Sequence, residues 1–198
     1  MTENDSKPTR AGRPRGEMAA SHTAIMDAVS QLLQERSVRD LTMEAVAKRA
    51  GVGKPTLYKW WPSKAALVFA MFHERLISTP DTVSLASAEA GLRARIRHLI
   101  TALNGSFGKV MADLIAEGQS DPALLKDLFE QHVRQRRDAT IAEIERGKTA
   151  GEFPAELDAT LAVDAMVGAI YYRHLLRFEP LTEEYGERLV DQVIGRSK

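Results

Sequence analysis

The chain is 198 residues long, 44% of them apolar and 6% aromatic, which is ample for a buried core in one or two domains, and no stretch alternates like a strand. It has no cysteine, which excludes a disulfide framework and a thiolate zinc ribbon; its longest apolar run, Ala65 to Phe72, is far short of the roughly 18 residues a membrane helix needs. Basic and acidic residues balance at 27 each, yet Lys7 to Lys64 holds 11 basic against 5 acidic residues and Ala65 to Lys198 holds 16 against 20, so the first part is expected to meet a polyanion.

Residues 1–15 carry Pro, Gly, Ser and charge without apolar periodicity and read as a flexible basic arm. Arg13 and Arg15 flank Pro14, an extended pattern that suits a narrow minor groove or else remains a solvated tail. No apolar signal region begins the chain, so a cytoplasmic location without membrane contact is expected.

Ile25, Ala28, Val29, Leu32 and Leu33 recur at helical spacing and predict a helix over Glu17–Arg36. In "RDLTMEAVAKRAGVG", Thr42 fits an N-cap, and Leu41 and Val46 fit a hydrophobic staple across it. A short helix from Met43 to about Ala50 then meets Gly51, where a left-handed residue is needed, and a second helix starts with Pro55 in its first turn. Two short helices joined by a glycine turn make a helix-turn-helix within residues 16–62.

Leu57 and Trp61 are four apart and share an inward face. Lys54, Pro55, Thr56, Tyr58, Lys59 and Trp60 are left on the other sides, a basic and partly aromatic surface with the chemistry of a major-groove reader.

Ser63 caps a connecting helix over 63–78, with Leu67, Val68, Met71, Phe72 and Leu76 as its stripe. A short linker at 79–83 leads into helices near Leu85–Leu103, Phe107–Glu117, Pro122–Arg146, Leu157–Phe178 and Thr182–Ile194, punctuated by Gly and Pro. The expected fold is all-α: an N-terminal three-helix DNA-binding module and a larger helical domain over 79–198.

"LTMEAVAKRAGVGKPTLYKWWPSKAAL" resembles the tetracycline-repressor (TetR/AcrR) family of bacterial regulators over about Ala11 to Phe72. The later stretch from Ile115 to Gly147 looks like the C-terminal domain of one subgroup. The resemblance implies phosphate contacts from Thr42, Tyr58 and Lys64, and base or backbone contacts from Lys54, Pro55, Thr56 and Lys59. Trp60 and Trp61 depart from the family's usual residues.

The family further implies a homodimer through the last two helices, for which Ala162, Ala165, Gly168 and Ala169 offer a small-residue face flanked by Val163, Met166, Ile170 and Leu175, with Leu189, Val190, Val193 and Ile194 on the final helix. It also implies a ligand cavity between the middle helices, with Phe107, Met111, Leu114, Phe129, His132, Met166 and Tyr171 as candidate lining. The expected function is a ligand-responsive repressor on a palindromic operator, with small-molecule effector and double-stranded DNA as partners. A DNA-binding architectural protein without an effector is the rival.

An enzyme is a poor fit. The five histidines are scattered, "HERLI" lacks the second His of a metal helix, and no glycine-rich phosphate loop follows a strand, so no catalytic residue, metal or cofactor is expected.

Overall fold

The computed structural model describes residues 15–75 and 87–195; the side chains of Arg15–Met18, His73 and Arg75 fall outside that description. Arg13 and the linker at 79–83 also lie outside it, as does the side chain of Arg15, whose backbone opens the first helix. Every regular element among the described residues is helical.

α1 (Arg15–Glu35), α2 (Met43–Ala50) and α3 (Lys54–Trp60) form the N-terminal module. The Thr42 hydroxyl accepts the Ala45 N–H at 3.1 Å and so starts α2. Gly51, at φ +66°, stops it: the left-handed turn costs a glycine little, and its N–H reaches back to α2 carbonyls. Leu57 is fully buried and Trp61 is 8% exposed, packed with the buried Ile25, Leu32 and Val46.

α4 (Lys64–Arg75) starts where Ser63 accepts the Ala66 N–H at 3.1 Å. The sequence suggests a one-sided stripe here; instead Ala65, Ala66, Leu67, Val68, Phe69, Met71 and Phe72 are all buried. A helix that is apolar all round is covered all round, and α4 packs on α1 on one side and on the second domain on the other.

The second domain comprises α5 (Ala88–Asn104), α6 (Ser106–Gly118), α7 (Pro122–Leu128), α8 (Arg134–Thr149), α9 (Ala159–Leu176) and α10 (Glu183–Val193). Phe129–Val133 is a π-helical turn that joins α7 to α8 without a break in the rod. α5 runs through the middle, against α6, α8 and α10. Arg93 on α5 fastens α10 by bonding Glu187 at 2.6 Å and Asp191 at 2.5 Å. No helix among the described residues is long and apolar enough to cross a membrane.

Candidate functional site

Two features bear on function: the outer surface of α3 with its flanks, and a cavity in the second domain. On the first, Tyr58 is 50% exposed, Lys59 and Pro55 are exposed, and Thr56 is half-buried. Thr42 is exposed, and because its oxygen accepts the cap bond, its own O–H can be donated to a phosphate.

Lys54 is exposed but already engaged: its ammonium pairs with Glu44 across the glycine turn, and the hydrogen bond it donates holds the Glu44 carboxyl below the usual carboxylate range. Two of the predicted reader residues sit differently from expectation. Trp60 is half-buried against His22 and Trp61, with ring centroids 5.8 and 5.5 Å away, because the indole covers apolar surface beside α1. Lys64 points at the second domain: its Nζ lies 3.0 Å from Glu117 Oε1 and 3.5 Å from the Arg39 carbonyl. A phosphate contact there competes with an existing ion pair.

Alongside that pair, the Val38 N–H donates to Asp113 at 3.3 Å. Two acids on the last turns of α6 thus hold the N-terminal module at the loop before α2 and at the start of α4. Sequence spacing has no way to announce contacts between residues so far apart.

The cavity has a volume of about 350 Å³ and lies among α5, α6, the π turn, α8 and α9. Of the predicted lining, Phe107, Met111, Phe129, His132 and Tyr171 border it. Leu114 and Met166 do not; both are fully buried in solid core, their side chains filling space between helices rather than facing the void. Phe129 is 38% exposed and stands at the mouth.

Sequence reasoning missed the polar wall. Arg95 and His98 come from α5, and Arg136 from α8, where it stands four residues after His132 on the same side of the rod. Burial lowers the Arg136 pKa from its ordinary value, and burial together with the charge on Arg136 lowers that of His98. Burial pushes the Tyr171 hydroxyl up to about 12. Arg137 and Asp164, also at the wall, neutralise one another through two bonds of 3.1 Å.

On α9 the small-residue face is split. Ala162, Val163, Met166 and Ile170 are buried within their own chain, as are Val190 and Ile194 on α10, because α9 and α10 spend that side on α5 and α8. The uncovered stripe is instead Leu161, Ala165, Gly168, Tyr172, Leu175 and Leu176, with Leu161 at 65% and Tyr172 and Leu176 at 60% exposure.

Residues 25–71 match the model of the tetR family of bacterial regulatory proteins, and residues 79–193 match that of the tetracyclin repressor-like C-terminal domain. The HTH-type transcriptional regulator YdeS of Bacillus subtilis is 31% identical over 185 residues, covering 92% of this chain and 91% of its own. Among solved structures, the TetR family transcription regulator SCO0332 superposes with a TM-score of 0.71 at 30% identity, covering 90% of this chain and 98% of that one. FadR of Bacillus subtilis, solved in complex with stearoyl-CoA, shares the fold with a TM-score of 0.69 at 18% identity, over 89% of this chain and all of that one.

Proposed function

Because the chain belongs to the tetR family of bacterial regulatory proteins and is a helix-turn-helix transcriptional regulator, we propose that it is a cytoplasmic repressor that acts by binding rather than catalysis. It holds a palindromic operator as a homodimer and is released when a small molecule fills the cavity.

The observation that carries this reading is the contact between cavity and connecting helix. His132, on the cavity wall, stacks on Phe69 of α4 with centroids 3.6 Å apart. α4 carries the reader module, so a ligand that prefers one position of the π turn also prefers one position of α4. Two reader helices must stand about 34–36 Å apart to enter successive major grooves. A coupling of about 1–3 kcal/mol, the usual range, changes operator affinity about 5- to 150-fold. FadR of Bacillus subtilis has been solved with stearoyl-CoA, which supports small-molecule binding by a protein of this fold.

The exposed stripe on α9 supports the dimer. A contiguous apolar row at helical spacing is costly to leave in water, and a second copy related by a two-fold axis covers it with its own.

The test is to select genomic DNA fragments with the purified full chain, footprint the retained sites, and titrate compounds against the complex. Two-fold symmetric footprints that a compound dissolves support the proposal. Sequence-independent binding governed by salt alone, with no compound shifting either melting or footprint, means an architectural protein instead.

A further inference from the structure

We propose that the cavity takes a small amphipathic organic anion, a compound with an apolar body and a single carboxylate, held by Arg136 with help from His98 and Tyr171. This deepens the effector reading above and rests on it for its regulatory meaning, though not for the chemistry of the site.

Charge is the first ground. No carboxylate among the described residues pairs with the Arg136 guanidinium, although burial penalises its charge. The acid that does reach the wall, Asp164, is held by both arms of Arg137 and leaves nothing over. Arg95 brings a further guanidinium to the same lining. The cavity therefore keeps a positive surplus inside apolar walls, where a buried charge without a counter-ion is costly and an incoming anion relieves that cost.

Hydrogen bonding is the second ground. His98 Nε2 is buried and has no hydrogen-bond partner. The lowered pKa of His98 keeps its ring neutral at pH 7, and the raised pKa of Tyr171 keeps its hydroxyl protonated. A guanidinium, a neutral imidazole and a phenol converging on one space all have hydrogens to donate. Their natural complement is an acceptor-only group, and a carboxylate meets a guanidinium in a charge-assisted pair.

Size and wall chemistry set the rest of the molecule. At about 350 Å³ the cavity stands at the small end of ligand sites, about 300–1,000 Å³, and Leu99, Phe107, Met111 and Val163 give the remainder of the ligand apolar contact. An organic cation has no acid to meet: Asp164 is spent, and Arg95 and Arg136 repel it.

The experiment uses a matched trio, octanoate, octanol and octylamine, titrated calorimetrically into the full-length protein and into Arg136→Met. Octanoate is expected to bind at least about tenfold more tightly than the other two, as a charge-assisted bond to a buried partner implies. In Arg136→Met that preference disappears while octanol binding is retained. Without ligand, Arg136→Met melts no lower than the native protein, since an uncompensated buried charge has been removed. Should Arg136→Met fail to fold, Arg136→Gln carries the same expectation for the trio.

Equal or tighter binding of octanol or octylamine overturns the proposal. So does the absence of octanoate binding, or an octanoate preference that survives in the Arg136 variant. Operator binding measured in the same samples separates the two claims: octanoate bound through Arg136 without any loosening of DNA defeats the effector role and leaves the ligand class standing.

Discussion

The imidazole of His132 lies face to face on the ring of Phe69, centroids 3.6 Å apart and planes 28° from parallel. One ring belongs to the cavity wall and the other to the helix that carries the DNA-binding module, so the two domains touch at the point where a ligand would be felt. Paired aromatic rings contribute about 0.5–1.5 kcal/mol beyond their buried area. A double-mutant cycle on His132→Ala and Phe69→Leu, read by urea unfolding, is expected to give a coupling in that range. Additive losses would show the two rings to be independent.

The outer face of α3 divides into general and specific contacts. Tyr58→Phe removes one hydroxyl and is expected to weaken binding to every DNA sequence alike, by about 0.5–1.5 kcal/mol. Lys54→Ala is expected to change which bases are preferred, because an ammonium at the N-terminal end of the helix faces base edges. Binding measured against a randomised operator library distinguishes them; a uniform loss from both variants refutes the division.

Lys64 is held by Glu117 at 3.0 Å, and both side chains are largely covered, at 23% and 33% exposure. Glu117→Gln loosens that hold and hands the ammonium to the nearest phosphate. The variant is expected to bind DNA more tightly at low salt and to show a steeper salt slope, by about 0.9 per phosphate gained. An unchanged slope would mean that Lys64 does not reach the backbone even when released.

The α9 stripe gives a test of assembly. Leu161→Glu combined with Tyr172→Glu places charge on residues 65% and 60% exposed in the single chain, so folding of the monomer should be little affected. Sedimentation is expected to show monomers, with loss of operator binding. A dimer that persists would place the interface on another surface.

His98 predicts a pH dependence. Its unfolded pKa is 6.5 and its folded value is lower, because burial and the neighbouring Arg136 disfavour the imidazolium. Between the two values the unfolded chain binds more protons, so stability rises with pH through that window and is lost as pH falls below about 6.5. Arg95, Arg136 and Tyr171 share the same wall, and of these groups only His98 titrates near neutrality. His98→Gln is expected to flatten the melting temperature between pH 7 and pH 5, about the range in which histidine titrates. An unaltered profile would assign the dependence to another group.

How much of this could be read in the sequence depends on the distance over which each signal acts. Thr42 as a cap, Gly51 as a left-handed stop and Leu57 with Trp61 as the inward pair are local facts, settled within a few residues, and the structure has them so. The helices of the second domain also follow from their spacing and punctuation. The Lys64–Glu117 pair joins residues 53 apart, and no periodicity encodes it. On α9 the apolar residues go nearly all round, so spacing alone could not tell which side meets α5 and which is left open. The polar wall of the cavity was half visible, since Arg136 follows His132 by one helical turn; what was hidden was that α5 brings His98 to the same space.

The π turn at Phe129–Val133 has a consequence for how this protein can vary. It puts one more residue into a turn than a regular helix would, and so sets the rotation of everything that follows it. Deleting a single residue there would smooth the backbone but swing α8 by about 100° about its axis, a full step of the 3.6-residue repeat. His132 would still reach Phe69, while Arg136 would turn toward solvent. The side chains of this rod can be exchanged one at a time, but its residue count is fixed.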